Sequence, residues 1–330
     1  MSPTTERTLP LPVAPGRRGP VVVLGHQGLL GQALMSVAAE RGLRTLGISR
    51  RTVPGVNLAR QADLAPFLDP LAPSLVINAA AITDLAACEA DASAAQELHA
   101  RLPGLLADWG RRRSTPWVQV STDHYWSGSE NTLHDETAAV QPPNVYARTK
   151  RAGEELALGD PNALVLRTNI VGFRGRAGAP TFVEWALGAV ARREPIDAYT
   201  DVWASSLEAH QCARVLFELV DMGASGLLHV ASHEAVSKAD FLAALAHAAG
   251  YDAGAMRRVP RPAKQRPRRA NTMGLDVSRV EALLQRALPT LDEVVAAVVA
   301  HPSMPSPSVR MDLDLEVDLK LEEGPDVHHA

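Results

Sequence analysis

Tyr146 and Lys150 stand four residues apart in the run Tyr146-Ala-Arg-Thr-Lys150. If that run is helical, a phenol and an ammonium share one face and can act as a proton-transfer pair. Reducing a ketone needs a hydride at carbon and a proton at oxygen, and a phenol is a suitable acid when nearby positive charge lowers its pKa. Upstream, Ser121-Thr122-Asp123 offers a hydroxyl that can polarise a carbonyl, with a carboxylate beside it. A strand end running into a turn would also place Thr and Asp there for structural reasons alone.

A second constellation is Gly25-His-Gln-Gly28-Leu-Leu-Gly31, directly after the apolar run Val21-Val-Val-Leu24. A buried strand that enters a glycine-rich turn and then a helix aims backbone N–H groups and the positive helix end at one point, where a pyrophosphate can sit. Gly25 permits the tight turn, Gly28 lets phosphates approach the backbone, and Gly31 allows close packing of helix on strand. The spacing is G-x-x-G-x-x-G, not G-x-G-x-x-G, so the turn alone does not separate a dinucleotide site from a plain loop. Ser49, Arg50 and Arg51 end the second apolar run, where an adenosine ribose would lie. Their donors suit a 2′-phosphate and favour NADPH without excluding NADH; two solvated arginines are the alternative.

These residues need elements to position them. Short β-branched runs at 21–24, 44–49, 75–78, 117–121, 163–167 and 227–230 alternate with helical stretches, clearest at 30–40, 86–109 and 147–158. The pattern predicts an α/β fold, a doubly wound parallel sheet (Rossmann), opening near Val21.

Composition excludes several classes. The 330 residues, 46% hydrophobic and 21% charged, suffice for a substantial core. A net charge of −4 gives no bulk attraction to nucleic acid or an anionic membrane. The basic run Arg257, Arg258, Arg261, Lys264, Arg266, Arg268 and Arg269 lacks the interleaved aromatics of a single-strand binder, and suits a nucleotide diphosphate or a solvated face. Cys88 and Cys212 lie far apart, with no metal-ligand spacing, so neither a disulfide scaffold nor a metal site is expected, and a cytoplasmic location is. There is no apolar run of transmembrane length and no secretory leader pattern. Residues 1–19 read as a flexible tail and 301–330 as an acidic tail. Within the latter, 311–321 alternates apolar and charged residues as a strand does, and reads as an added edge strand, a dimer contact or a solvated acidic tail.

In order along the chain come Gly25–Gly31, Val76-Ile-Asn-Ala-Ala-Ala81 with Thr83 and Cys88-Glu89, Ser121-Thr-Asp123, Pro143-Asn-Val-Tyr146-Ala-Arg-Thr-Lys150-Arg-Ala-Gly-Glu154, and Leu166-Arg-Thr168. This succession resembles the extended short-chain dehydrogenases/reductases, and within them the dTDP-4-dehydrorhamnose reductase family. The likeness spans roughly Val21 to Val298 and takes in Gln265-Arg-Pro267 and Leu275-Asp-Val-Ser278. It implies NADPH-dependent reduction of the 4-keto group of a dTDP-4-keto-6-deoxy sugar. Tyr146 would be the acid, Lys150 its pKa-lowering partner and ligand of the nicotinamide ribose, and Thr122 the carbonyl polariser. The cofactor would lie on Gly25, Gln27, Gly28, Leu29, Leu30, Gly31, Ser49, Arg50, Asn57, Leu58, Ala79, Ala80 and Ala81, together with Tyr146 and Lys150. Thr83, Asp123, His124, Asn169 and Arg268 would meet the nucleotide-sugar. The resemblance further implies a cofactor domain at 20–172 with about 199–230, a substrate lobe at 173–198 and 231–300, and a homodimer.

Several positions depart from the family pattern: Asn57 for Asp, His99 for Asn, His124 for Tyr, Ala147 for Gly and Ile170 for Trp. His124 reads as a proton relay or a packing residue. Two other functions stay open: a nucleotide-sugar epimerase or dehydratase, although Asp123-His124 lacks a dehydratase's second acid, and a non-catalytic regulatory subunit resembling the methionine adenosyltransferase β subunit.

Overall fold

A computed structural model of the chain describes residues 19–49, 52, 57–128, 130–176, 179–263 and 266–304. The alternating run 311–321, nearly all of both predicted tails, and Arg50, Arg51, Lys264 and Gln265 lie outside the described residues.

The chain begins with β1 (Val21–Leu24), α1 (Leu29–Glu40), β2 (Thr45–Ile48), α2 (Gln61–Leu68) and β3 (Leu75–Asn78). Next come α3 (Leu85–Ala90), α4 (Ala92–Gln96), a π-helical stretch at Glu97–Arg101, α5 (Leu102–Arg113) and β4 (Trp117–Val120). β5 (Leu133–His134) precedes α6 (Val145–Ala157), β6 (Ala163–Arg167), β7 (Ile170–Val171) and α7 (Phe182–Ala191). β8 (Ile196–Tyr199), β9 (Trp203–Ala204) and β10 (Leu207–Glu208) lead to α8 (Ala209–Asp221) and β11 (Gly226–His229). The remainder is β12 (Val236–Ser237), α9 (Lys238–Ala248), β13 (Met256–Val259), β14 (Thr272–Leu275), α10 (Ser278–Leu284) and α11 (Leu291–Val299).

Six strands form one sheet in the order β11-β6-β4-β3-β1-β2, every pair parallel. Alternate residues feed two separate cores. Val21, Val23, Leu75, Ile77, Leu164 and Leu166 pack with α1 and α8 on one face. Val22, Leu24, Val76, Trp117 and Val165 pack with α2 and α5 on the other. This is the period-two consequence of a strand buried on both sides. From β1 the chain passes to β2 on one flank and then to β3 on the opposite flank, which opens a crevice beyond the carboxyl ends of β1 and β3. No helix among the described residues is long and apolar enough to cross a membrane.

The predicted strands match within two residues, but the predicted helix 86–109 is broken. Asp91 leaves the helical region at φ −134°, and its carboxylate accepts the Ala94 N–H to start a new helix. From there helical geometry continues through the π-helical stretch at Glu97–Arg101 into α5, whose second residue is Pro103. The two- to four-residue strands of the second half are too short for a period to show in sequence.

The π-helical stretch seats α6. A Cβ built on Gly153 would fall 1.9 Å from the His99 carbonyl oxygen, so the two segments meet backbone to backbone. Two side chains cap the helix start: Asn144 Oδ1 accepts the Ala147 N–H at 2.9 Å, and Glu89 Oε1 accepts the Val145 N–H at 2.8 Å. Because a backbone atom blocks the extra methyl, Gly153→Ala should lower stability by about 2 kcal/mol or more in urea unfolding. Parent-like stability would mean that the α6 contact is loose.

Candidate active site

The glycine turn lies at the crevice. Gly25 has φ +80°, and a Cβ there would meet Ala80 Cα at 2.7 Å and the Ala79 carbonyl at 2.8 Å, so the turn after β1 rests on the residues after β3. A Cβ on Gly31 would fall 2.2 Å from the Gly25 carbonyl, which shows that this glycine seats α1 against the turn. Gly28 is the N-cap of α1 and offers no side-chain cap, and no acidic residue occupies the first turn. The leading N–H groups therefore have no carboxylate competing for them. Gln27 is exposed, and Leu29, Ala79, Ala80 and Ala81 are half-buried. Leu30 corrects expectation at the side-chain level, being 4% exposed within the core because it lies on the inward stripe of α1.

At the end of β2, Ser49 N–H donates to Thr52 Oγ1 at 2.8 Å in a local turn. Asn57 and Leu58 also serve local structure: Asn57 Oδ1 accepts the Ala59 N–H at 3.0 Å, and Leu58 packs against the α2 core. His26 was not singled out in sequence. Its ring covers Gly47 of β2, where a Cβ would lie 2.5 Å away, and its buried Nδ1 has no partner among the described residues. A histidine inside the turn facing a glycine in the next strand is the signal that could have found it.

Thr122, Tyr146 and Lys150 come together. Thr122 follows β4, and its hydroxyl lies close enough to the half-buried Tyr146 phenol to act on its ionisation. Burial pushes that phenol up to about 12; the Thr122 hydroxyl pulls it down, while Asp123, Cys88 and Glu154 push it further up. Lys150 is buried and donates to the Val120 carbonyl at 2.7 Å. Burial lowers its ammonium to about 8, against the pull of Glu154. The phenol is thus governed by burial, with Lys150 turned toward the end of β4, unlike the direct pairing that the four-residue spacing suggested.

Asp123 Oδ2 accepts from Asn169 Nδ2 at 2.6 Å, and Ser206 Oγ donates to Asn169 Oδ1 at 3.0 Å, so Ser206 orients the amide. Burial pushes Asp123 up to about 6 despite help from Asn169, Lys238 and Thr122. His124 Nε2 accepts from Asn144 Nδ2 at 3.1 Å and from the Ala270 N–H at 3.3 Å. Burial, with Arg269 and Arg261 adding, lowers it to about 4. A neutral ring with its acceptor nitrogen filled is a clasp between α6 and the segment before β14, which favours the packing reading over a relay. His99 is lowered to about 3 by burial and then by Lys150; its Nε2 accepts the Ile82 N–H at 2.9 Å and its Nδ1 faces Thr149 Oγ1 at 2.9 Å.

The basic run divides in two. Arg257 pairs with Asp197 at 2.6 Å and Arg258 with Asp240 at 2.8 Å on the surface. Arg261, Arg268 and Arg269 instead line a polar cavity of about 390 Å³ with Ser127, Gly128, Asp201 and Asn271. The Arg268 carbonyl accepts from Asn144 Nδ2 at 2.8 Å, which ties this cavity to the start of α6. Arg269 Nε is buried without a partner among the described residues. Thr83 is exposed. No cluster of metal-ligating side chains occurs among the described residues.

Beneath the site lies a charge network without an assigned role in sequence. Glu154 and Arg167, at most 1% exposed, pair through Nε–Oε1 at 3.0 Å and Nη2–Oε2 at 2.8 Å. Tyr125 donates its hydroxyl to Glu154 Oε1 at 2.9 Å, and the guanidinium lies 5.0 Å from the centre of the Tyr125 ring. These bonds hold the Glu154 carboxyl below its usual value although burial alone would raise it.

The parallel sheet, its glycine turn at the switch point and the Thr122/Tyr146/Lys150 cluster define an oxidoreductase of the extended short-chain dehydrogenase/reductase class. Residues 19–304 match the family described as RmlD substrate binding domain, and the chain belongs to that family. A probable low-salt glycan biosynthesis reductase of Haloferax volcanii is 32% identical over 84% of this chain and 96% of its own. A dTDP-4-keto-6-deoxy-D-glucose reductase of Streptomyces niveus is 30% identical over 72% of this chain and 82% of its own. Among solved structures, the dTDP-4-dehydrorhamnose reductase of Bacillus anthracis in complex with NADP shares the fold with a TM-score of 0.76 at 18% identity, over 86% and 99% of the two chains.

Arg167→Met leaves the buried Glu154 carboxylate with Arg151 of its own helix, at 3.1 Å, as its one cation partner among the described residues, and should cost about 3 kcal/mol in urea unfolding at neutral pH. The folded pKa of Glu154 lies below its unfolded value, so its contribution is full above the usual carboxylate range and fades as pH falls through the folded value. The double replacement Glu154→Met with Arg167→Met should recover part of the loss; equal losses would show that the stranded charge is not its source.

Proposed function

We propose that the chain reduces the 4-keto group of a dTDP-linked 4-keto-6-deoxy sugar with NADPH. The observation that carries this reading is the Thr122 hydroxyl beside the half-buried Tyr146 phenol beyond the carboxyl ends of the sheet. There the two hydroxyls can both donate to one carbonyl oxygen.

The residues of the crevice fit a dinucleotide. The Gly25–Gly31 turn and the uncapped start of α1 would take the pyrophosphate, and Ser49 with Arg50 would take the adenosine side. Orphaned His26 Nδ1 lies on the same β2 side of the turn. Bound there, NADPH supplies the hydride. Tyr146 holds the proton delivered to the sugar oxygen, and Thr122 stabilises charge developing on it. Lys150, cationic below about pH 8, supplies positive charge on the same helix face and donors for a ribose hydroxyl. Asp123, His124, Asn169 and Thr83 border the sugar. Arg261, Arg268 and Arg269 form a cavity with the forked donors that a diphosphate needs, within a lobe built from 173–198 and 231–300. The Haloferax and Streptomyces reductases, about 30% identical, support the reading.

Purified protein should oxidise NADPH when given dTDP-4-keto-6-deoxyglucose, and Tyr146→Phe should lower kcat by about a hundredfold or more. Dependence on an epimerase that first inverts the sugar would select the rhamnose-type substrate. Tight NADPH binding with no turnover of either keto-sugar would sink the reductase reading in favour of a regulatory subunit. The pH profile of kcat/KM should be bell-shaped, because activity needs Asp123 ionised and Lys150 protonated. It should rise as pH passes about 6 and fall as pH passes about 8. Asp123→Asn should flatten the acid limb only; a limb that persists in this variant belongs to another group.

A further inference from the structure

Lys238 opens α9 directly after Ser237, whose hydroxyl accepts the Asp240 N–H at 3.0 Å and starts the helix. Its own N–H donates to the Val202 carbonyl at 2.8 Å, which fixes the root of the side chain. The ammonium lies 4.5 Å from the centre of the Phe182 ring on α7 and 5.9 Å from that of Phe241 on α9. Two aromatic faces thus cradle a half-buried cation. No hydrogen-bond acceptor for it occurs among the described residues, and the carboxylate that acts on it is Asp123. The ammonium therefore has free donors that a ligand's oxygen can take.

Asp123 leads back to the reacting atoms. Thr122 Oγ1 donates to Asp123 Oδ1 at 3.3 Å, and the same hydroxyl neighbours the Tyr146 phenol. A carbonyl held by Thr122 and Tyr146 therefore has the Asp123 carboxylate beside it and the Lys238 cation in the field of that carboxylate. In a 4-keto-6-deoxy sugar, the ring carbons flanking the carbonyl are C3, which bears a hydroxyl, and C5, which bears a methyl. Only the C3 hydroxyl can donate to a carboxylate and accept from an ammonium at once. The Phe182 and Phe241 faces offer an apolar wall to the carbon skeleton.

We propose that Lys238 is a specificity-determining residue which, with Asp123, reads the hydroxyl adjacent to the reacting carbonyl. This rests on the reading of the site as a 4-keto-sugar reductase. The substrate class is narrowed to keto-sugars that keep their C3 oxygen.

The test compares dTDP-4-keto-6-deoxyglucose with its analogue lacking the C3 hydroxyl, using wild type, Lys238→Met and Lys238→Arg. Wild type should prefer the hydroxylated sugar by about tenfold or more in kcat/KM, as expected for loss of a hydrogen bond to a charged group. Lys238→Met should bring the preference within about twofold, the signature of a removed pairwise interaction. Lys238→Arg, which keeps a cation between the rings, should retain most of it. NADPH affinity should be unchanged in both variants, which separates local loss of contact from misfolding. Full preference in Lys238→Met, or its complete loss in Lys238→Arg, would overturn the role of the Lys238 charge while leaving the reductase reading intact. Failure of wild type to turn over either sugar while binding NADPH would instead remove the reductase reading, and this inference with it.

Discussion

Everything at the site depends on one face of α6. Tyr146, Lys150 and Glu154 follow at four-residue intervals, so a single helix must present a phenol to the crevice, an ammonium to the end of β4 and a carboxylate to the interior. The carboxylate fixes the helix. Glu154 is forked onto Arg167 of β6 and takes the Tyr125 hydroxyl, so α6 cannot rotate or slide without stranding a buried charge. Gly153, one residue earlier, removes the side chain that would hold α6 away from the His99 carbonyl. The position of the Tyr146 phenol, about two turns earlier on the helix, follows from these two contacts.

Electrostatics within this frame is set by burial more than by pairing. Burial is the largest cause behind the shifts of Tyr146, Lys150, Asp123, His124 and His99, and in each it disfavours the charged form. The two histidines are therefore neutral hydrogen-bonding parts that lock backbone segments, while Asp123 and Lys150 are left with values on either side of neutrality. A site of this kind has few mobile charges of its own, so the charges of bound ligands weigh heavily in it.

Much of this was legible in sequence where a local rule suffices. The six sheet strands are β-branched runs buried on both faces, and the Gly25–Gly31 turn is dictated by close backbone approach. The Tyr146 to Lys150 spacing put both side chains on one helix face. What was not legible depends on partners distant in sequence. Arg257 and Arg258 are indistinguishable in sequence from Arg261 and Arg269, and only the fold sets Asp197 and Asp240 opposite the first two. The acceptor for Lys150, the Val120 carbonyl, is a backbone atom that no side-chain pattern encodes. Lys238 reads in sequence as an ordinary first-turn residue, and becomes notable only once Phe182 and Phe241 flank it within the field of Asp123.

The most direct measurement of the central claim uses NADPH carrying deuterium at the transferable position of the nicotinamide, with the dTDP-4-keto-6-deoxy sugar as acceptor. Mass and proton spectra of the product would locate the label. The account predicts one deuterium on C4 of the sugar for each NADPH consumed, with the hydroxyl proton drawn through Tyr146 from solvent. An unlabelled isomer of the starting sugar, or label at any other carbon, would contradict it.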